Sequence, residues 1–337
     1  MKKLLISIAI MFVVPIFAFA QEINVVFSID NNYPLFTMLA INSILQNNDS
    51  NSHYNFYIVE NNVTEKNKAR MEKYVIDRGQ SIEFINIDTS VIDDGETFTG
   101  FNPGHITKIA MARILLPDLL PKNIHRVIYL DSDICVFSDL KELYNADLGD
   151  NLAGLVLDRE QTYYLDKFSL KNGYYNSGVI VIDLDKWRKA NMVEQLLLFV
   201  KNNRSRFVDT GSANFVFKYP DQDLINILLN GKIKSLPKKW NTFFNTIPVV
   251  TKDVGIVHYI GPIKPWHYPA DYSNTYRAYY KSWNSSGLWW YKHYYALKGI
   301  KKYYLDICEY RKLQYIWHLS YLKFMFEKMG FHNTIKP

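Results

Sequence analysis

An α/β fold with a mostly parallel, mixed sheet flanked by helices is predicted here by two observations. Short apolar, β-rich runs alternate with segments of helical periodicity, and acidic clusters stand where two of those runs end. Ile23 to Ile29 forms the first such run and stops at the turn-forming Asp30-Asn31-Asn32. Residues 34–46 then place Leu35, Met38, Leu39, Ile41, Ile44 and Leu45 at helical spacing. Tyr54 to Val59 and Ile82 to Ile87 read as buried strands, with a polar helical stretch over residues 63–78 between them. The segment from about 105 to 117 is helical again. Arg126 to Leu130, Ala153 to Leu157 and Gly178 to Ile182 complete the strands. No internal repeat or low-complexity linker divides the chain. Its composition shifts only after about residue 270.

Size and composition narrow the class. With 337 residues, 48% hydrophobic and 15% aromatic, the chain has material for one large domain and an appendage, and bulk disorder is excluded. Cys135 and Cys308 are too few for a metal cluster or a disulfide scaffold; one bridge between them is allowed, but nothing argues for it. The formal charge of +6 is uneven: from Lys281 onward ten Lys/Arg stand against three Asp/Glu, leaving the remainder close to neutral. Trp289, Trp290, Tyr294, Tyr295, Tyr303, Tyr304 and Trp317 are interleaved with those cations. Such a pattern suits the headgroup layer of an anionic membrane, contacted peripherally through residues 281–330. The competing reading is a helical cap whose rings pack on the main domain. Nucleic acid is not an expected partner, because no recognition motif accompanies the patch.

The N-terminus is set apart. Met1-Lys2-Lys3, an apolar run from Leu4 to Ala20 and the ending Ala18-Phe19-Ala20 have the layout of a signal peptide, or of a membrane anchor interrupted by Pro15. The expected organisation is therefore residues 1–20 as signal or anchor, 21–270 as the catalytic domain, and 271–337 as a basic, aromatic-rich helical extension. Lys2 and Lys3 favour a cytoplasmic N-terminus. That orientation would carry the domain across the membrane.

In open α/β sheets ligands sit beyond the carboxyl ends of strands, and both acidic clusters lie there. Asp131 and Asp133, two apart where a strand opens into a loop, can converge on one hard divalent cation. Mg2+ or Mn2+ bound in this way commonly shares its ligand shell with substrate phosphates. Taken alone, the triplet reads equally as a solvated turn. His258 closes the apolar run Gly255–Val257 and could add an imidazole ligand. Gly261 lets backbone approach a phosphate, Lys264 offers it a charge, and Pro265 and Trp266 would stiffen the loop.

With these residues in view, the sequence resembles glycosyltransferase family 8, retaining enzymes of the GT-A fold that include bacterial lipopolysaccharide galactosyl- and glucosyltransferases and glycogenin. The likeness runs from about Ile23 to Trp266 in four ordered blocks: Phe27 to Tyr33, Tyr129-Leu130-Asp131-Ser132-Asp133, Tyr175-Asn176-Ser177-Gly178-Val179, and His258 to Trp266. The resemblance implies a UDP-sugar donor, a Mn2+ (or Mg2+) cofactor held by Asp131, Asp133 and His258, and a glycan or glycolipid acceptor. Asp30 and Asn32 would bind uracil and ribose, with Tyr33 stacked on the base. Arg113 would reach the donor, Asn176 and Ser177 would line its sugar as a loop, and Gly261 and Lys264 would meet the phosphates. Asp221-Gln222-Asp223 would lie beside the anomeric carbon as the catalytic segment. Arg113 also reads as a surface ion pair, and Asp223 as a helix N-terminal residue. Asn31 departs from the pattern, since many members carry aspartate there.

The expected activity is transfer of galactose or glucose in lipopolysaccharide or other surface-glycan synthesis. A catalytically silent carbohydrate- or nucleotide-binding module and a sugar nucleotidyltransferase are the alternatives. Donor supply favours the cytoplasmic face of a membrane, whereas the N-terminus favours export.

Overall fold

A computed structural model describes residues 20–87, 108–159, 161–203, 219–244, 253–261, 264–266, 279 and 286. The signal-like run up to residue 19 and nearly all of the extension after 266, with its expected membrane contact, lie outside the described residues. Among the described residues no helix is long and apolar enough to cross a membrane.

The first half follows the sequence periodicity closely. Strand β1 (Glu22–Asp30) is buried along its centre. Helix α1 (Pro34–Gln46) starts with its proline in the first turn, where no amide partner is lost. It is buried from Pro34 to Ile44 and so is apolar nearly all round. Next come β2 (His53–Asn61), α2 (Glu65–Ile76) and β3 (Ser81–Asn86). The Thr64 side chain accepts from Asn67 N at 3.4 Å and caps α2. The helix expected over 105–117 is a 3-10 turn (Lys108–Met111) leading into α3 (Ala112–Leu119). Residues 105–107 are outside the described set.

The second half holds β4 (Arg126–Leu130), β5 (Ile134–Val136), α4 (Lys141–Tyr144), β6 (Ala153–Leu157) and α5 (Gln161–Phe168). Then follow β7 (Tyr175–Asp183), α6 (Leu184–Lys189), α7 (Met192–Asn202) and α8 (Pro220–Leu228). Last are β8 (Ile233–Ser235), a 3-10 turn (Lys238–Asn241), β9 (Thr242–Phe243) and β10 (Ile256–His258).

Among the described residues the main sheet has seven strands in the order β3-β2-β1-β4-β7-β6-β8, and β5-β10-β9 form a smaller one. The main sheet is parallel except for β7, which runs against both β4 and β6. Alternation along each strand splits the core into two layers. Ile23, Val25, Phe27, Ile128, Leu130, Val179 and Val181 pack on α1, α2 and the small sheet. Val26, Val127, Tyr129, Ile180 and Ile182 pack on α3, α6, α7 and α8.

Because β7 is reversed, it begins at the edge where β1, β4 and β6 end. It also begins three residues earlier than its apolar run, so Tyr175-Asn176-Ser177 is strand rather than the expected loop. Asn226 of α8 explains the extension. Its Oδ1 accepts from Tyr175 N at 2.7 Å, and its Nδ2 donates to Tyr175 O at 2.8 Å and Gln222 O at 2.9 Å. A side chain thus stands in for a neighbouring strand and clamps α8 to the start of β7. Replacing Asn226 by Ala should cost about 2–3 kcal/mol in urea unfolding, because it strands two buried backbone groups. A loss below about 0.5 kcal/mol would mean that water replaces the clamp.

Candidate active site

The site is assembled from strand ends. Asp131 leaves β4 with its N–H on Gly178 O at 2.9 Å. The next side chain turns into α1: Thr37 Oγ1 donates to Tyr33 O at 3.0 Å, so Ser132 Oγ, 2.8 Å away, donates to Thr37. With Ser132 tied down, Asp131 and Asp133 share the other side of the loop. The antiparallel pairing of β10 with β5 sets His258 opposite Ile134, and Tyr259 N donates to Asp133 O at 2.9 Å. His258 Nε2 then lies 3.2 Å from Asp133 Oδ1 and 3.8 Å from Asp131 Oδ2.

These three residues fit a divalent cation. They offer two carboxylate oxygens and one imidazole nitrogen within 4.8 Å of one another, the donor chemistry that Mn2+ or Mg2+ takes. The space they share is kept by Gly178. A Cβ there would overlap His258 Cε1 and lie 2.9 Å from Asp131 Oδ2.

Each carboxylate has one oxygen anchored and the other turned to His258. Asp131 Oδ1 receives Arg113 Nη2 and Tyr129 OH, each at 3.0 Å. Asp133 Oδ2 receives Lys264 Nζ, which also donates to Tyr259 O at 3.0 Å. Burial raises the Asp131 carboxyl despite Arg113, and the like charge of Asp133 adds to the rise. Burial also works to raise Asp133, but the Lys264 ammonium beside it outweighs burial and holds that carboxyl well below the usual range.

Arg113 is a buried hub, not a surface ion pair: it is 5% exposed. Its Nη1 donates to Ser177 O (2.8 Å) and Ser177 Oγ (2.9 Å) and lies 3.1 Å from Asp221 Oδ2; Nε donates to Ala110 O at 2.9 Å. The guanidinium sits 4.6 Å from the centre of the Tyr129 ring. Ser177 Oγ donates to Asp221 at 3.2 Å. Gln222 Oε1 accepts from Asn176 Nδ2 at 3.0 Å and Ser177 N at 3.1 Å, while its Nε2 donates to Asp158 Oδ2 at 3.3 Å. Asp221 and Gln222 are thereby joined to Asn176, Ser177 and, through Arg113, Asp131.

Asp223 is placed differently. It is fully buried, and its two oxygens accept from Tyr174 OH and from Tyr219 N, the latter at 3.1 Å. Burial pushes its carboxyl up to about 7, although both hydrogen bonds oppose the shift.

On the opposite flank, Asp30 accepts from Asn32 N at 2.8 Å and Asn32 Nδ2 at 3.3 Å, which makes the two residues one tight turn. Asn31 turns outward. Its Oδ1 accepts from Thr64 N (3.0 Å) and Asn67 Nδ2 (2.8 Å), so it ties the turn to the start of α2. Tyr33 is half-buried, edge-on to Trp266 at 6.4 Å, and Trp266 stacks on Phe36 at 3.8 Å. Burial, then Asp133, Asp30 and Asp131, push the Tyr33 phenol up to about 12. Gly261 has φ +91°, a conformation other residues rarely adopt.

Two residues of this arrangement escaped the sequence reading. Asp158 follows β6 directly and accepts from Asn176 at 3.2 Å as well as from Gln222. The strand-end rule that singled out Asp30 and Asp131 would have found it. Asn241, whose Oδ1 lies 2.9 Å from His258 Nδ1, carried no sequence signal.

A reversed strand in a mixed sheet, with a carboxylate-imidazole cluster at the carboxyl ends of its neighbours, defines a GT-A-type glycosyltransferase. Comparison with known proteins agrees: residues 24–270 match the profile of Glycosyl transferase family 8, and the chain belongs to that family. It is 28% identical over 294 residues to General stress protein A of Bacillus subtilis (strain 168), covering 79% of this chain and 96% of that one. It is also 28% identical over 279 residues to the lipopolysaccharide 1,2-glucosyltransferase of Escherichia coli (strain K12), covering 78% and 77%. Among solved structures, the galactosyltransferase LgtC in complex with donor and acceptor sugar analogs matches with TM-score 0.65 and 26% identity, over 79% of this chain and 95% of that one.

Two outcomes follow from the geometry. Gly178→Ala should lower Mn2+ affinity by about 10- to 100-fold, as disturbing a ligand's surroundings does, with the circular dichroism spectrum unchanged. Wild-type affinity in isothermal titration would show that the glycine does not shape the site. Asp223 holds a proton in the folded state that an unfolded chain releases near its usual 3.8. Its contribution to stability therefore falls as pH rises from about 4 to about 7. Asp223→Asn should gain in melting temperature relative to wild type between about pH 5 and pH 8, and a gap that does not change with pH would refute the assignment.

Proposed function

We propose that this glycosyltransferase moves a hexose, galactose or glucose, from a UDP-sugar to an acceptor hydroxyl with retained anomeric configuration, in synthesis of lipopolysaccharide or another surface glycan. The convergence of Asp131, Asp133 and His258 beside Lys264 and the Asn176–Gln222 group carries the reading. Mn2+ or Mg2+ held by the first three would supply Lewis-acid stabilisation of the departing diphosphate. Lys264, held beside Asp133, adds a positive charge for a phosphate oxygen, and Gly261 lets the backbone come close to it. Asp30 and Asn32, already one turn, receive uracil and ribose, and Tyr33 keeps its phenolic proton while stacking on the base. Asn176, Ser177 and Asp158 line the sugar, and Arg113 holds Asp131, Ser177 and Asp221 in register. The glucosyl and galactosyl activities named for relatives support a hexose and a lipopolysaccharide acceptor.

Retention is assigned to front-face attack, in which the acceptor enters beside the leaving diphosphate. Gln222 is an amide and cannot serve as the carboxylate nucleophile of a double displacement. Asp221 is engaged by Arg113 and Ser177, and Asp223 by Tyr174 and Tyr219. A glycosyl adduct trapped on Asp158, Asp221 or Asp223 would overturn that mechanism. Peripheral contact of residues 281–330 with anionic lipid belongs to the same reading and rests on composition.

The test is release of UDP from UDP-galactose, UDP-glucose and UDP-N-acetylglucosamine, with and without Mn2+. The expected result is release from one hexose donor that EDTA abolishes and Mn2+ restores. Undiminished release in EDTA, or failure to bind UDP at all, would sink the proposal.

A further inference from the structure

We propose that Asn241 is a positioning residue for the cation site: with Asn176 it forms an amide relay that decides which nitrogen of His258 carries the proton. This rests on the metal-dependent reading above and extends it. A backbone N–H can only donate, and that of Gly178 reaches Asn176 Oδ1 at 3.0 Å. At its other end, Asn176 Nδ2 meets the Asp158 carboxylate at 3.2 Å. The Asn176 amide is therefore oriented from both sides. Its oxygen also receives Asn241 Nδ2 at 2.8 Å. That leaves Asn241 Oδ1 facing His258 Nδ1 at 2.9 Å. An amide oxygen only accepts, so Nδ1 carries the hydrogen. Nε2 then presents its lone pair to the space between Asp133 and Asp131, as a metal-ligating imidazole must.

Asn241 and His258 are 1% and 3% exposed, so the protein and not solvent makes this choice. The same chain links two functions. Asn176 touches Asp158 and Gln222 on its sugar-facing side and Asn241 on the other. A change in the hydrogen bonding of Asn176 is thus transmitted to the cation ligand, although Asn241 itself needs no contact with substrate.

The test measures Mn2+ binding to the full chain by the loss of the free-ion EPR signal, at saturating UDP. Asn241→Ala should weaken Mn2+ about 10- to 100-fold while UDP affinity in EDTA stays near wild type and the circular dichroism spectrum shows the fold retained. Asn241→Asp keeps an acceptor for Nδ1–H but sets a carboxylate oxygen against Asn176 Oδ1, so it should recover only part of the loss. A second readout needs no variant of Asn241: 15N-histidine NMR of the Mg2+–UDP complex, with His258→Gln for assignment, should show the proton on Nδ1. Wild-type Mn2+ affinity in Asn241→Ala, or a proton on Nε2, would overturn the relay alone. A wild-type chain that binds no divalent cation would overturn the metal reading and the relay with it.

Discussion

Two carboxylates held side by side in a largely enclosed site are the constraint around which this structure is organised. Asp131 and Asp133 repel each other, and removal from water penalises both charges. The surrounding fold offsets that cost group by group. Arg113 and the Tyr129 hydroxyl hold the outer oxygen of Asp131, and Lys264 holds that of Asp133. The inner oxygens are left turned toward one imidazole nitrogen. A site so composed is short of one cation at its centre, which is the electrostatic reason that it fits a divalent metal.

Arg113 shows how far the constraint spreads. A buried guanidinium is itself costly unless its donors are met. Here they are met by Ala110, Ser177, Asp221 and Asp131, which come from α3 and its 3-10 lead, β7, α8 and the end of β4. The charge needed to settle Asp131 therefore also fixes the relative placement of the helices and strands that line the candidate site. Ser132 and Thr37 perform a neutral version of the same task toward α1.

The reversed strand makes the arrangement possible. A parallel β7 would end, not begin, at the edge that carries the candidate site, and its glycine could not lie beside Asp131 and His258. Gly178 is needed because backbone and imidazole meet where any side chain would intrude. The small antiparallel sheet does the complementary work, bringing the distant His258 alongside the loop that follows β4.

The alternation of strands and helices, the acidic and histidine residues at strand ends and the family blocks were all legible in the sequence, because each is local. β1 and α1 appear almost at their observed limits since burial imposes their periodicity directly. Asp131, Asp133 and His258 could be named because acidic residues and histidine at strand ends are chemically conspicuous. The strand character of Tyr175-Asn176-Ser177 could not be read, because Asn226 of a later helix supplies it. Arg113 could be named from the family resemblance, but its burial and its partners could not be read. Asn241 was invisible for the same reason: an asparagine in a short turn has no signature until folding sets it against His258. Sequence alone determined the fold class and the residue types of the candidate site, because short-range pattern and side-chain chemistry encode them. Tertiary structure decided which oxygen, which nitrogen and which strand direction serve the site, because those depend on contacts between segments far apart in the chain.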